Sequence, residues 1–80
     1  MNRFRALGYD GQVSSRILPD GRLERSYRVR VGRDIIEYAD TIEKSDLHAV
    51  HGRVGILRHR AIVRRIEEAM KLRRIVPLVQ

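Results

Sequence analysis

Apolar and polar residues alternate along three successive runs between Gln12 and Glu43, and each run ends in turn chemistry. In Leu18-Pro19-Asp20-Gly21-Arg22, Pro presets the second turn position and Gly supplies the left-handed one, the pattern of a type I turn closed by a bulge. Such a turn places Leu18 opposite Arg22, then Ile17 opposite Leu23, Arg16 opposite Glu24, Ser15 opposite Arg25 and Val13 opposite Tyr27. A second turn is predicted at Val31-Gly32-Arg33-Asp34, where Gly leads a two-residue loop of the II′ kind. Its register pairs Val29 with Ile36, Tyr27 with Tyr38, Arg25 with Asp40 and Leu23 with Ile42. On the other face it pairs Arg28 with Glu37 and Arg22 with Glu43. Both registers set apolar against apolar and base against acid, and such cross-strand pairs stabilise a sheet. A helix over 35–42 competes, because Ile35, Ala39 and Ile42 also fit a 3.6-residue period, but the charge pairing favours strand.

The fold class predicted is α+β, beginning with a three-stranded antiparallel meander at about 12–18, 22–31 and 35–43. Its apolar face needs a cover, and the period changes from two to 3.6 after Lys44. Ser45 is the expected N-cap, with Asp46 favourable in the first turn. Leu47, Val50, Val54, Leu57 and Ala61 form one stripe, and Ile62, Val63, Ile66, Ala69 and Met70 form another, rotated from the first by roughly 120°. Gly52 and Gly55 lie just before the change. The stripes predict one kinked helix or two, about 46–53 and 57–73. Residues 1–11 are expected to form an N-terminal arm or a short extra strand, at Arg3–Leu7, followed by a Gly8–Gly11 loop. The apolar, Pro-broken end, 75–80, is a candidate partner interface through Ile75, Val76, Leu78 and Val79. Eighty residues without repeat or linker suit a single small domain over 1–80.

Charge adds a partner class to this picture. Lys+Arg is 17 against Asp+Glu 10, a net +7, and 15 of the 17 bases are Arg. A planar guanidinium grips phosphate and base edges, so an Arg-rich surplus points to polyanion recognition, although codon usage enriches Arg too. The surplus is uneven: from Arg53 to Arg74 eight bases face only Glu67 and Glu68. No cysteine is present, which removes disulfides and thiolate chemistry. No apolar run approaches a membrane span and no h-region follows the N-terminus, so a cytoplasmic chain is expected.

Three sets of side chains could carry chemistry. His48, His51 and His59 with Asp46 offer at most three ligands on one helix face, short of the four a closed zinc site takes, so neither metal nor cofactor is expected. His59 falls on the apolar side of the second helix and reads as a hydrogen-bonded residue at the core edge. Ser15, Arg25 and Asp40 lie in one row on the apolar face, where Arg25–Asp40 is expected as a structural ion pair. The third set is arginine on two surfaces. Arg16, Arg28 and Arg30 project from the outer sheet face, while Arg53, Arg60, Arg64 and Lys71 line the helix, with Arg73 and Arg74 at its end. A sheet of this width can enter a major groove, and a basic helix line can follow phosphates.

No phosphate loop, nucleophile elbow, paired acid–base carboxylates or His-Glu-x-x-His motif occurs, so no enzyme is expected. Sheet followed by helix, with a basic outer sheet face, resembles in architecture alone the three-stranded DNA-binding modules of integrase arm-binding and AP2-type domains over 12–60; no motif residue of those families stands here. The leading expectation is a nucleic-acid-binding accessory or regulatory protein, with DNA preferred over RNA, of the kind phages and mobile elements encode. The competing one is a protein-interaction module docking on a larger assembly or forming a homodimer, using the apolar stripe that the core does not need.

Overall fold

The computed structural model describes residues 3–49 and 52–78. Four antiparallel strands make one open sheet in chain order: β1 (Arg3–Ala6), β2 (Tyr9–Ile17), β3 (Leu23–Val31) and β4 (Asp34–Ile42). A 3-10 segment, Lys44–Ala49, leads to one α-helix, α1 (Arg53–Leu72). The fold is α+β, as the periodicity predicts, with one strand more than the meander.

Both predicted turns form. Gly21 has φ 90°, its N–H donates to Leu18 O at 2.9 Å, and Leu18 N–H donates to Arg22 O at 2.8 Å. Gly32 has φ 60° while Arg33 does not share the left-handed region, as a II′ turn requires. The registers follow: Val13↔Tyr27, Ser15↔Arg25 and Ile17↔Leu23 on one side of β3, and Leu23↔Ile42, Tyr27↔Tyr38 and Val29↔Ile36 on the other. The β3–β4 ladder ends at Leu23↔Ile42, so the expected Arg22–Glu43 pair is not made. Arg22 Nε instead lies 2.6 Å from Asp20 Oδ2 within the turn.

β1 is the short extra strand expected at Arg3–Leu7, formed over Arg3–Ala6 and paired with β2, rather than a free arm. The expected Gly8–Gly11 loop is replaced by a tighter turn at Leu7-Gly8, so Tyr9, Asp10 and Gly11 join β2. Leu7 adopts φ 50°, uncommon for a residue with a Cβ, and two long-range bonds hold it there: its N–H donates to Glu67 Oε2 at 2.8 Å and its O accepts from Leu78 N at 2.7 Å. Phe4 pairs with Gly11 and meets Tyr27 edge-on at 5.5 Å between centroids.

The helical region differs from expectation in two ways. Asp46 N–H bonds Glu43 O at 2.9 Å, so a tight 3-10 turn begins before Ser45 and leaves it no N-cap role. Gly52 occupies the N-cap of α1 instead, with no side-chain bond. Arg53–Leu72 is one continuous helix rather than a kinked pair, and it lays a single face across the sheet, touching both β1 and β4. That face carries Gly55, Ile62, Ile66 and Met70 at spacings of seven and four. One helix buries one stripe, so Val54 and Leu57 of the other stripe stay 63% and 53% exposed. The core joins Phe4, Ala6, Val13, Tyr27, Val29 and Ile36 of the sheet to Ile62, Ile66 and Met70, each worth roughly 1.5–3 kcal/mol for a large apolar side chain. Among the described residues no helix is long and apolar enough to cross a membrane.

The end of α1 closes with a Schellman pattern, Ile75 N–H to Met70 O at 3.1 Å and Arg74 N–H to Lys71 O at 2.9 Å. Arg74 holds the left-handed position usually given to glycine, with φ 58°. Arg74→Gly is therefore expected to raise stability by about 1 kcal/mol, read as a higher urea midpoint. A lowered midpoint would contradict this account of the turn.

Candidate nucleic-acid interface

Arg53, Arg60, Arg64 and Lys71 are spaced by seven, four and seven residues, which returns each to nearly the same side of α1. That side lies opposite the buried face, so all four are exposed along a line of about 27 Å. None has a hydrogen-bond or ion-pair partner among the described residues. The one carboxylate on the line, Glu67, is engaged by the Leu7 N–H. Arg60 and Arg64 also border a groove shared with Arg3 and Arg5 of β1, which places a sheet edge beside the helix line. Arg3 and Arg5 are absent from the sequence-derived contacts because an arm or short extra strand at Arg3–Leu7 does not by itself reveal which element it lies beside; the Arg-Phe-Arg-Ala alternation shows only that both stand on one face of the strand.

The other basic residues are placed differently. Arg73 leaves the line, donating to Ile35 O at 3.3 Å and lying 3.9 Å from Asp34. Arg74 is exposed at the helix end. On the outer sheet face Arg16 pairs with Glu24 at 2.9 Å and Arg28 with Glu37 at 2.6 Å, which neutralises two of the three arginines expected to project there. Arg30 has no such partner among the described residues and borders, with Arg3, Arg28 and Asp10, a groove over Gln12.

The inner polar row has the expected register but not the expected pair. Arg25 stands opposite Asp40, yet Asp40 accepts two bonds from Arg58, Nε at 2.7 Å and Nη2 at 2.8 Å, and Arg58 also reaches Thr41 O at 3.0 Å. The Arg25–Asp40 ion pair is thus corrected to Arg58–Asp40. A guanidinium arriving from the helix presents its planar fork end-on to the carboxylate, which a side chain standing beside it on the next strand does not. Bonding to Asp40 raises the Arg58 pKa further.

Next to this pair, the Tyr27 hydroxyl and His59 Nδ1 share a hydrogen bond at 3.0 Å. Desolvation, followed by the nearby Arg25 charge, pushes the His59 pKa below its ordinary 6.5, and burial raises that of Tyr27. A histidine depressed in the fold binds fewer protons than in the unfolded chain at and just below pH 6.5, so its contribution is present above that pH and lost as pH falls. Stability is expected to drop between pH 7 and pH 5, less so in His59→Gln. Urea midpoints across that range check this; a flat profile would contradict it.

Of the remaining candidates, His48 is exposed, His51 lies outside the described residues, and no cluster of metal-ligating side chains occurs among the described residues. The tail is divided. Ile75 is buried in the core at 8% exposure and is unavailable to a partner, since the Schellman turn aims it inward. Val76 and Leu78 are 74% and 47% exposed, and Val79 lies outside the described residues. The Tyr9 hydroxyl fastens the tail by donating to Val76 O at 2.7 Å.

No protein-family model, curated protein or solved structure matches the chain.

Proposed function

We propose that this chain is a small, non-enzymatic nucleic-acid-binding protein, an accessory or regulatory factor of the phage or mobile-element kind, that grips the phosphate backbone of duplex DNA. The observation that carries the reading is the outward face of α1, where Arg53, Arg60, Arg64 and Lys71 stand unpaired opposite the core. A helix face of this kind neutralises phosphates without reading bases. Arg74 extends the line, and Arg3 and Arg30 supply contacts from the sheet. The paired Arg16 and Arg28 contribute little. Duplex is preferred over single strand because the aromatic rings are committed inward. Phe4 and Tyr27 are core residues, Tyr38 lies under Arg65 with 5.9 Å from guanidinium to centroid, and Tyr9 holds the tail. Single-strand binders stack bases on exposed rings. A cytoplasmic location accompanies this reading.

Fluorescence anisotropy with a mixed-sequence duplex tests it. Arg60→Ala combined with Arg64→Ala is expected to lower affinity for every duplex sequence alike and to flatten the salt dependence by about two phosphate contacts. Unchanged affinity would remove α1 from the interface.

A second reading is favoured by Val54, Ile56 and Leu57, which are 63%, 52% and 53% exposed on the first turns of α1. In it, the chain is a protein-interaction module in a larger assembly or a homodimer, docking through these helix residues or, beyond the other end of α1, through Val76 and Leu78. Sedimentation of the free chain separates self-association from the monomer that the first reading allows.

A further inference from the structure

Between β3, the 3-10 segment and the first turn of α1 lies a groove of about 220 Å³ into which Arg25 and Arg58 both point. Arg25 Nε and Nη2 are shielded from solvent and have no hydrogen-bond partner among the described residues. The nearest carboxylate on the adjoining strand, Asp40, is already taken by Arg58. Donors shielded in this way without an acceptor are costly, and a protein retains them where something else completes them. Arg25, Arg58 and the exposed Asp46 line the groove, and Asp40, outside the lining, is committed to Arg58, so the four charges cancel. What the groove offers a carboxylate is the pair of unbonded Arg25 donors, and Asp46 opposes a ligand of more than one negative charge. The walls are apolar, formed by Ile42, Ala49 and Val54. Val54 and Gly55 also belong to a first helical turn that has neither a side-chain cap nor an acidic residue, so its N–H groups add to the attraction for an anion.

We infer that this groove binds a singly charged carboxylate with a short aliphatic body, the carboxylate held by Arg25 and the aliphatic part seated against Ile42, Ala49 and Val54. The ligand chemistry is shared by a free short-chain acid and by the C-terminus of a polypeptide ending in a small apolar residue. The site does not depend on the DNA-binding reading, because Gly55 and Arg58 lie toward the core side of α1, away from the line of Arg53 and Arg60.

Side-chain and backbone ¹H–¹⁵N NMR of the full chain tests this with four probes: isobutyrate, acetyl-valine, acetyl-valine amide and inorganic phosphate. The expected result is a saturable shift of the Arg25 Nε–H and of the Val54 and Gly55 amides with the carboxylates, and none with the amide. Acetyl-valine binding more tightly than isobutyrate identifies a chain terminus as the source, and the reverse order identifies a free acid. Arg25→Met replaces the unbonded donors by an apolar side chain of similar length. It should fold, and should weaken the Val54 and Gly55 response at least about tenfold, while Arg25→Lys retains part of it. The absence of saturable shifts with either carboxylate, an equal response to the amide or to phosphate, or an undiminished response in folded Arg25→Met would each overturn the assignment.

Discussion

Gly11→Val is expected to destabilise the chain by about 3 kcal/mol, a large share of the roughly 4–12 kcal/mol available to a domain of this size. Gly11 pairs with Phe4 across β1 and β2, and a Cβ built on it would fall within the Phe4 ring. The ring has no room to retreat. It is 6% exposed, lies edge-on to the fully buried Tyr27, and shares the core with Ile66 and Met70. Relief therefore requires β1 to separate from β2, and β1 is only four residues long. Separation would also expose Ala6 and disturb the Leu7 turn that binds Glu67. Urea unfolding measures the effect. A midpoint within error of the parent would show that Phe4 does not occupy the space over Gly11.

Asp40→Ala is expected to cost about 2 kcal/mol, the second largest effect. The carboxylate is 13% exposed and holds Arg58 with two charge-assisted bonds, so its loss leaves Thr41 O as the remaining hydrogen-bond partner of Arg58 and removes the carboxylate opposite Arg25 in the sheet. The value stays below that of a fully buried pair because Arg58 is 40% exposed and can turn to water. Arg58→Ala should cost a similar amount by stranding Asp40, and the double variant should be less harmful than the two losses added. Additive losses would show that the two side chains do not interact. Arg25→Met in the same background should recover stability, since it removes shielded donors that have no hydrogen-bond partner.

Most of the sheet was legible in the sequence because turn chemistry is local. Pro19-Asp20-Gly21 and Gly32-Arg33 each impose a register, and every pair from Val13↔Tyr27 to Leu23↔Ile42 follows by counting. β1 was less legible: its turn uses Leu7 in a left-handed conformation maintained by Glu67 and Leu78, partners about sixty or more residues away. The helix illustrates a different limit. Two apolar stripes were visible, but which one a single continuous helix buries depends on how it crosses the sheet. The partner of Asp40 was hidden for the same reason, since strand register places Arg25 beside it and only the helix crossing brings Arg58 to it. His59 was readable at the core edge, although its bond to Tyr27 depends on tertiary contact. The basic line on α1 was legible from spacing alone, whereas the neutralisation of Arg16 and Arg28 followed from register and the diversion of Arg73 toward β4 did not.

The most direct test of the phosphate-binding account is the salt dependence of duplex DNA binding by the unaltered chain, with log affinity plotted against log salt. Four or five phosphates neutralised by Arg53, Arg60, Arg64, Lys71 and Arg74 predict a line of slope about −3.6 to −4.5. A slope near zero, or no binding at low salt where a net charge of +7 has its full reach, would contradict it.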